Sequence, residues 1–253
     1  MMIPIVIKKR TLIAVIVIIA ILTAVILGVS LGTGSAEVGA KNRKVPVYSV
    51  QTSEKKVALT FDAAWGADQT VKIMDAVEKY GFKCTFFLTG FWIDENPELV
   101  KEIASRGHLI GNHSESHKHL NEVADLNAEI DAVNAEINTL TGASPKYFRA
   151  PFGEYDNNMM STLESKGMQG VQWSIDSLDW KGLSAAEIAE RVVNDLEPGD
   201  IVLMHNASDH IVEALPLILL SIQNKGLTAV RLDEMLYSEN YTVNSQGIQI
   251  QNQ

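Results

Sequence analysis

The sequence predicts an α/β fold built on a parallel sheet, and two regularities carry this prediction. Short apolar stretches alternate with longer stretches whose apolar residues recur at helical spacing. Several of the helical stretches end at a glycine, a residue that commonly terminates helices. Because no block is all helix or all strand, crossover helices are expected to join parallel strands, in an open doubly wound sheet or in a barrel.

The elements follow one another along the chain without an internal repeat. Seven apolar stretches are predicted strands, at residues 57–61, 84–88, 108–111, 147–149, 170–174, 201–205 and 228–230. The predicted helices lie at residues 68–80, 97–106, 126–140, 157–166, 184–196 and 211–225. Cys84 is the only cysteine, so no internal disulfide can form, and its apolar neighbours indicate a buried core residue.

An uncharged stretch at residues 11–31, made mainly of Ile, Val, Leu and Ala, is long enough to cross a bilayer as a helix. The basic residues just before it favour an N-terminus inside the cell and a remainder outside. A cleaved signal peptide, which would give a secreted protein, is the alternative interpretation. The predicted organisation is a short cytoplasmic basic segment at 1–10, a transmembrane anchor at 11–31, a linker at 32–54, a globular domain at 55–240 and a frayed polar tail at 241–253.

The part of the chain after residue 44, which we expect to lie outside the membrane, carries a strong negative net charge. Residues 1–44 hold six of the 21 basic and one of the 31 acidic side chains, which leaves 15 basic and 30 acidic side chains in the remainder. An acidic surface repels polyanions, so nucleic acid is excluded as a partner.

His113 and His117 stand four residues apart in the stretch Asn-His-Ser-Glu-Ser-His. On one face of a helical turn, two imidazoles at this spacing can bind one metal ion, and imidazole suits zinc and its first-row neighbours. Two histidines leave room for a carboxylate and a water, which is the open coordination of a hydrolytic metal. A polar turn with two solvated histidines is the alternative.

Polar residues with catalytic chemistry follow or close most of the predicted strands. The set comprises Asp62, His113, Arg149, Asp176, Asp179 and His205. The carboxyl ends of parallel strands form the face on which active sites assemble, so we expect these residues to converge in one cleft. Taken singly, Arg149 suits a structural ion pair, Asp179 a helix cap and His205 a satisfied core histidine.

Five motifs in order resemble those of the polysaccharide deacetylases, also called NodB-homology or family 4 carbohydrate esterase enzymes. Residues 60–62 resemble the family's T-F-D-D-G motif, 113–117 its H-[ST]-x-x-H motif, 149–153 its R-x-P-[YF]-G motif, 176–180 its D-S-x-D-W stretch and 201–205 its L-x-H motif. The stretch Ala63-Ala64-Trp65-Gly66, with alanine in place of the second aspartate, is similar to the sporulation-associated subgroup of Gram-positive bacteria.

The resemblance implies a distorted (β/α) barrel of about seven parallel strands and metal-dependent hydrolysis of N-acetyl groups on cell-wall polysaccharide, above all peptidoglycan. It implies Zn²⁺, or another divalent first-row metal, held by His113 and His117. Ala63 supplies no carboxylate, so Asp68 is a further candidate ligand, although an aspartate before a helix also suits an N-cap.

The resemblance also implies a role for each remaining motif residue. Asp62 would be the general base, held in place by Arg149, and His205 would be the general acid, oriented by Asp179. The backbone near Phe152 would receive the oxyanion. Trp180 and Leu203 would form the wall that contacts the substrate. We expect a membrane-anchored, extracytoplasmic monomer acting on cell-wall glycan. A catalytically weakened glycan-binding protein and a carbohydrate O-acetyl esterase are the alternatives.

Overall fold

The computed structural model describes residues 43–252, and the predicted membrane span at residues 11–31 lies outside this part of the chain. Between residues 43 and 252, no helix is both long and apolar enough to cross a membrane.

A sheet of parallel strands forms the centre of the fold. Its strands are β2 (Lys56–Ala63), β3 (Thr85–Leu88), β4 (Leu109–Asn112), β5 (Tyr147–Phe148), β6 (Gln169–Gly170), β7 (Ile175–Asp176), β8 (Ile201–His205) and β9 (Thr228–Val230). The strand order is β6-β5-β4-β3-β2-β8-β7, and β9 pairs with the first residues of β2. Each of these pairings is parallel, which confirms the predicted α/β class.

The connection between the two end strands shows that this sheet is curled. Strand β6 ends at Gly170 and β7 begins at Ile175. An extended chain between these residues reaches about 18 Å. In a flat sheet, six strand spacings would separate β6 from β7 by about 29 Å. The sheet therefore bends into an incomplete barrel, in agreement with the distorted barrel that was expected.

The predicted strand at residues 170–174 is wrong, because the chain there passes from one end of the sheet to the other. The N–H of Val47 donates to the Gly170 carbonyl (2.9 Å), and the N–H of Gln172 donates to the Val47 carbonyl (2.7 Å). A segment from far upstream thus pairs with the residues that leave β6. Such pairing depends on residues distant in the chain, so local hydrophobic pattern does not predict it.

Helices α1 (Thr70–Lys79), α2 (Gly90–Glu95), α3 (Pro97–Ser105), α4 (Leu126–Thr141), α5 (Asn157–Ser165), α6 (Ala185–Val193) and α7 (Ile211–Asn224) join the strands. All but the short α2 were predicted. Asp125 caps α4 through two backbone N–H groups, and Ser184 forms a capping box with Glu187 at the start of α6. One hydrophobic core joins all of these helices except α5 to the sheet and includes Cys84, which is buried as predicted. Helix α5 packs in a separate cluster with Ile130 and Phe148.

The C-terminal tail is not frayed, contrary to the prediction. Strands β10 (Tyr241–Val243) and β11 (Ile248–Gln251) pair in antiparallel fashion, and β11 pairs in parallel with β1 (Ser49–Val50) from the predicted linker. Gly199 permits this packing, since a Cβ atom there would lie 1.9 Å from the Val50 carbonyl oxygen. Because the chain from Lys44 onward belongs to one compact unit, the folded part begins before the predicted boundary at residue 55.

Gln249 fastens this small sheet to the rest of the fold. Its buried side chain accepts from the Tyr237 N–H (2.9 Å) and donates to the Tyr237 carbonyl (2.8 Å). We predict that Gln249→Leu lowers the free energy of unfolding by about 1–3 kcal/mol, because the Tyr237 N–H loses this acceptor, whereas the Tyr237 carbonyl still accepts from Gln169 Nε2. Urea unfolding followed by circular dichroism measures the change.

The matched control is Gln251→Leu in the same strand. Gln251 is exposed and donates one hydrogen bond to the Asn240 carbonyl. This variant should change the free energy of unfolding by less than about 0.5 kcal/mol. Equal losses in the two variants would contradict a special role for the buried glutamine.

Candidate active site

The polar residues at the carboxyl ends of the strands meet around a cavity of about 690 Å³. Asp62 reaches it from the end of β2, His205 from the end of β8, and His113 and His117 from the segment after β4. Asp179, after β7, also lines it. The structure therefore brings together residues that lie far apart in the sequence, as parallel strands with a shared carboxyl edge require.

Asp62 and Arg149 form a buried ion pair beside the cavity. Arg149 Nη1 donates to Asp62 Oδ1 (2.7 Å), and Arg149 Nη2 donates to the Gln172 carbonyl (3.0 Å). The guanidinium also lies over the ring of Phe87, 4.2 Å from its centroid. Burial by itself would raise the pKa of Asp62, but the positive charge and hydrogen bond of Arg149 lower it below its ordinary value. Asp62 is therefore ionised at neutral pH.

The tautomer of His113 follows from its partner. Its Nδ1 lies 2.8 Å from the Arg149 carbonyl oxygen, and a carbonyl can only accept, so Nδ1 carries the proton. Burial lowers the pKa of His113, so the ring is neutral at neutral pH. Its Nε2 then turns a lone pair toward Asp62 Oδ2 at 3.4 Å. Two acceptors facing each other at this distance favour a cation nearby.

His117 lies next to His113 because of a backbone conformation that the sequence did not predict. The pair was expected on a helical turn, but the structure has an irregular turn in which Ser114 and His117 both have positive φ, 67° and 50°. The ring centroids of His113 and His117 lie 5.0 Å apart. His117 Nδ1 is buried without a hydrogen-bond partner. Burial lowers the pKa of His117 to about 4, so this ring is also neutral at neutral pH.

These observations fit one divalent metal ion with His113 and His117 as two of its ligands. The other ligands are not identified by the structure. Both rings are neutral, as metal-binding imidazoles must be, and the bond from His113 to a carbonyl is the usual way to orient such a ligand. Among residues 43–252, however, no group of three or more His, Cys, Asp or Glu side chains is arranged to hold a metal ion.

Asp68, the further candidate ligand, is not brought to the histidine pair. It is exposed and does not line the cavity. Helix α1 begins at Thr70 with Gln69 as its N-cap residue, and that N-cap makes no side-chain hydrogen bond. The structure thus gives Asp68 neither the ligand position nor the capping position. Ala63 is buried and has no donor atom.

His205 and Asp179 form a second pair across the cavity from the histidines. Asp179 Oδ1 lies 2.7 Å from His205 Nδ1, and Asp179 Oδ2 accepts from the His205 backbone N–H at 2.8 Å. Burial lowers the pKa of His205, but the hydrogen bond and charge of buried Asp179 outweigh it, and the pKa is raised above its ordinary value. Asp179 therefore does not cap a helix, and His205 is not an ordinary core histidine.

Three residues predicted to contact substrate lie on the cavity wall. Phe152 and Trp180 are exposed, whereas Leu203 is almost fully buried and lines the cavity. Phe152 has a positive φ of 59°. The ring of His119 stacks on it with a centroid distance of 3.9 Å. His119 was given no role from the sequence, and stacking contacts of this kind leave no local signal there.

Comparison with known proteins places the chain in a family. Residues 49–171 match the family described as polysaccharide deacetylase. A peptidoglycan-N-acetylglucosamine deacetylase of Bacillus cereus is 36% identical over 194 residues, which make up 74% of this chain and 70% of the relative. The chain belongs to the polysaccharide deacetylase family. The chain is also 32% identical to a peptidoglycan-N-acetylmuramic acid deacetylase of Bacillus subtilis, over 76% of this chain and 75% of that protein.

Solved structures with the same TM-score to this chain include a deacetylase and a pseudoenzyme. The Bc1960 peptidoglycan N-acetylglucosamine deacetylase has a TM-score of 0.73 and 35% identity, covering 75% of this chain and 92% of that chain. A family 4 carbohydrate esterase pseudoenzyme from Bacillus anthracis also has a TM-score of 0.73, with 28% identity, covering 77% of this chain and 69% of that chain. Similarity of fold therefore does not decide whether a member is active.

The hydrogen bond to Asp179, together with its charge, holds the His205 pKa above its ordinary value. We predict that Asp179→Asn lowers the His205 pKa, because a charge-assisted hydrogen bond becomes a neutral one. Since the raised pKa keeps the ring protonated as pH rises, the variant should lose its ring proton at lower pH. Titration of the ring by nuclear magnetic resonance measures this.

Asp176→Asn is the control for this titration. Asp176 also lines the cavity and raises the His205 pKa through its charge, but it makes no hydrogen bond to the ring. Its replacement should lower the His205 pKa less than the Asp179 change does. An equal shift in both variants would mean that the hydrogen bond is not the decisive contact.

Proposed function

We propose that this protein removes N-acetyl groups from peptidoglycan outside the cell, with a divalent first-row metal, Zn²⁺ above all, bound by His113 and His117. The observation that carries the proposal is the presence of a base and an acid on one cavity, each fixed by its own buried partner. Asp62 is ionised and held by Arg149, while His205 is held by Asp179. A protein that only binds glycan does not need this arrangement.

The chemistry requires that a water oxygen attack the acetyl carbonyl carbon and that the carbon–nitrogen bond then break. When bound, the metal supplies Lewis-acid activation of the carbonyl and lowers the pKa of the attacking water. Asp62 Oδ2 takes the proton of that water, because Oδ1 is already engaged by Arg149. Its lowered pKa keeps Asp62 ionised, so it can accept a proton throughout the neutral pH range.

The departing nitrogen must gain a proton to leave as an amine. His205 can donate it from Nε2, since Nδ1 is fixed against Asp179 and the ring lines the cavity. The raised His205 pKa favours the protonated ring at neutral pH. The backbone near Phe152 would receive the negative charge that develops on the carbonyl oxygen, and Trp180 and Leu203 would hold the acetyl methyl and sugar. The products are acetate and a free sugar amine.

The N-terminal sequence supports the place of action. A membrane anchor at residues 11–31, with the basic residues before it inside the cell, would place the cavity outside the cell beside the wall polymer. We propose that the anchored protein acts as a monomer. Cleavage of the leader would release the same activity as a secreted enzyme. We further propose a role in cell-wall remodelling during sporulation, because the stretch Ala63-Ala64-Trp65-Gly66 resembles the sporulation-associated subgroup of the family.

A catalytically weakened envelope protein is the second candidate function. Two observations favour it, namely the alanine at position 63 and the absence of a three-ligand metal group among residues 43–252. The family includes a structure described as a pseudoenzyme. Mass spectrometry of peptidoglycan fragments, incubated with the metal-loaded protein, separates the two candidates by the loss of acetyl groups. No loss of acetyl would overturn the first.

The metal proposal predicts that His113→Ala and His117→Ala each abolish stoichiometric zinc binding while the protein stays folded. A site with so few protein ligands cannot lose one and keep useful affinity. Elemental analysis measures the bound zinc, and circular dichroism checks the fold. Asp68→Asn is the matched comparison, and its zinc content should equal that of the wild type. A sharp loss of zinc in Asp68→Asn would instead make this exposed carboxylate a ligand.

The proton-transfer proposal predicts that Asp62→Asn and His205→Ala each lower turnover on an acetamide substrate by roughly a hundredfold or more. The two variants should differ on an aryl acetate, whose leaving group needs little protonation. Loss of His205 should then cost much less than loss of Asp62. Steady-state rates at equal zinc occupancy measure both. Equal losses on the two substrates for His205→Ala would exclude the acid role.

A further inference from the structure

Trp65 lies on the cavity in a position that the proposed mechanism does not use. Five large hydrophobic side chains are exposed among residues 43–252, and three of them are the aromatics Trp65 (64%), Phe152 (55%) and Trp180 (60%). All three line the cavity, whereas the other two, Leu217 and Leu220, lie on α7 and do not. Single exposed apolar residues are common, but exposed aromatics gathered around one cavity indicate a binding surface.

The contacts of Trp65 place it next to the histidine pair. Its ring meets that of His117 edge-on with a centroid distance of 4.8 Å, and the ring of Phe152 meets the same histidine at 4.9 Å. Phe91 supports Trp65 from another side at 6.0 Å. A substrate group that reaches the His113 and His117 nitrogens must therefore pass close to the indole.

The turn that carries Trp65 is held rigidly. The carbonyl of the next residue, Gly66, accepts from Trp92 Nε1 (2.7 Å) and from Asn206 Nδ2 (2.8 Å). Gly66 has a φ of 64°, which glycine adopts without strain. A turn whose backbone is fixed in advance loses little conformational freedom when a ligand binds, so less of the binding energy is lost in ordering it.

The chemistry of the cavity selects the occupant. A pyranose ring carries a face of C–H groups that packs well on an aromatic ring, and its hydroxyls can stay in water. The carboxylates of Asp62, Asp176, Asp179 and Asp209 line the cavity, and none of its lining residues is Lys or Arg. An uncharged sugar therefore suits this surface better than an anionic ligand does.

We propose that Trp65 is a specificity-determining residue that stacks on a sugar ring of the glycan chain next to the acetamide being hydrolysed. This inference rests on the proposed function for its substrate class. It concerns a residue in the stretch where this chain departs from the family's motif. Where the family's motif has a second carboxylate this chain has Ala63, and two residues later it presents the exposed ring of Trp65 beside the cavity.

The test compares Trp65→Ala and Trp65→Phe with the wild-type full chain. The substrates are the tetrasaccharide of N-acetylglucosamine and 4-nitrophenyl acetate, which carries no sugar. Trp65→Ala should raise KM for the tetrasaccharide roughly tenfold, with kcat changed less than twofold, because about 1.4 kcal/mol of stacking is lost. Rates on the aryl acetate should not change. Trp65→Phe should recover most of the tetrasaccharide affinity.

Leu220→Ala, which removes another exposed apolar side chain away from the cavity, is the control and should alter neither substrate. Thermal unfolding and zinc content check that each variant is intact. Equal losses on both substrates would overturn the proposal, because Trp65 would then act through His117 rather than through the sugar. An unchanged KM for the tetrasaccharide would overturn it as well.

A binding measurement separates this inference from the proposed function. Isothermal titration calorimetry with the tetrasaccharide gives Kd for the wild type and for each Trp65 variant, whether or not acetate is released. If the wild type releases no acetate but Trp65→Ala weakens binding tenfold, the deacetylase proposal fails and the role of Trp65 stands. If the wild type does not bind the tetrasaccharide, or binds it no better than Trp65→Ala does, the role of Trp65 is wrong.

Discussion

The buried ion pair between Arg149 and Asp62 is the interaction on which the site depends. A fully buried guanidinium is costly unless it is paired and hydrogen-bonded. Arg149 Nη1 and Nη2 donate to the Asp62 carboxylate and the Gln172 carbonyl, whereas its buried Nε has no hydrogen-bond partner. The Arg149 carbonyl fixes the His113 ring. One residue therefore connects the central strand β2, the connection after β6 and the first histidine. Replacing it would alter the charge of Asp62 and the orientation of His113 together.

Backbone strain in this protein is concentrated where chemistry is expected. Five non-glycine residues between positions 43 and 252 have positive φ, and four of them, Ser114, His117, Phe152 and Leu178, lie in the segments that carry the site residues. Such conformations cost of order 1–3 kcal/mol each and persist only where surrounding contacts fix them. Here the strained turns aim His117 at His113, set Phe152 on the cavity wall and lead into Asp179. The contacts of the surrounding barrel offset the conformational energy of these strained turns.

The site joins two opposite electrostatic environments within one cavity. On one side, burial keeps His113 and His117 neutral, with nitrogen lone pairs available. On the other, Asp179 keeps His205 able to hold a proton. The difference arises from the partner rather than from burial, since burial opposes the charged form of all three rings. Three histidines of the same intrinsic chemistry thus become suited to different tasks.

The sequence determined the class of fold, most element positions and the identity of the polar residues that meet at the cavity. These depend on local hydrophobic period, on caps such as Ser184 with Glu187, and on the rule that parallel strands share a carboxyl edge. Strands β8 and β9 match their predicted bounds.

Only the tertiary structure decided the remainder, because those features join residues that are distant in the chain. The polar tail becomes ordered because β11 pairs with β1, and the predicted strand at 170–174 is divided because Val47 pairs with Val171. The histidine pair is formed by a strained turn and not by a helix, and Asp68 is left outside the cavity. Sequence pattern reports which side chains a segment offers, whereas three-dimensional packing decides which partners they meet.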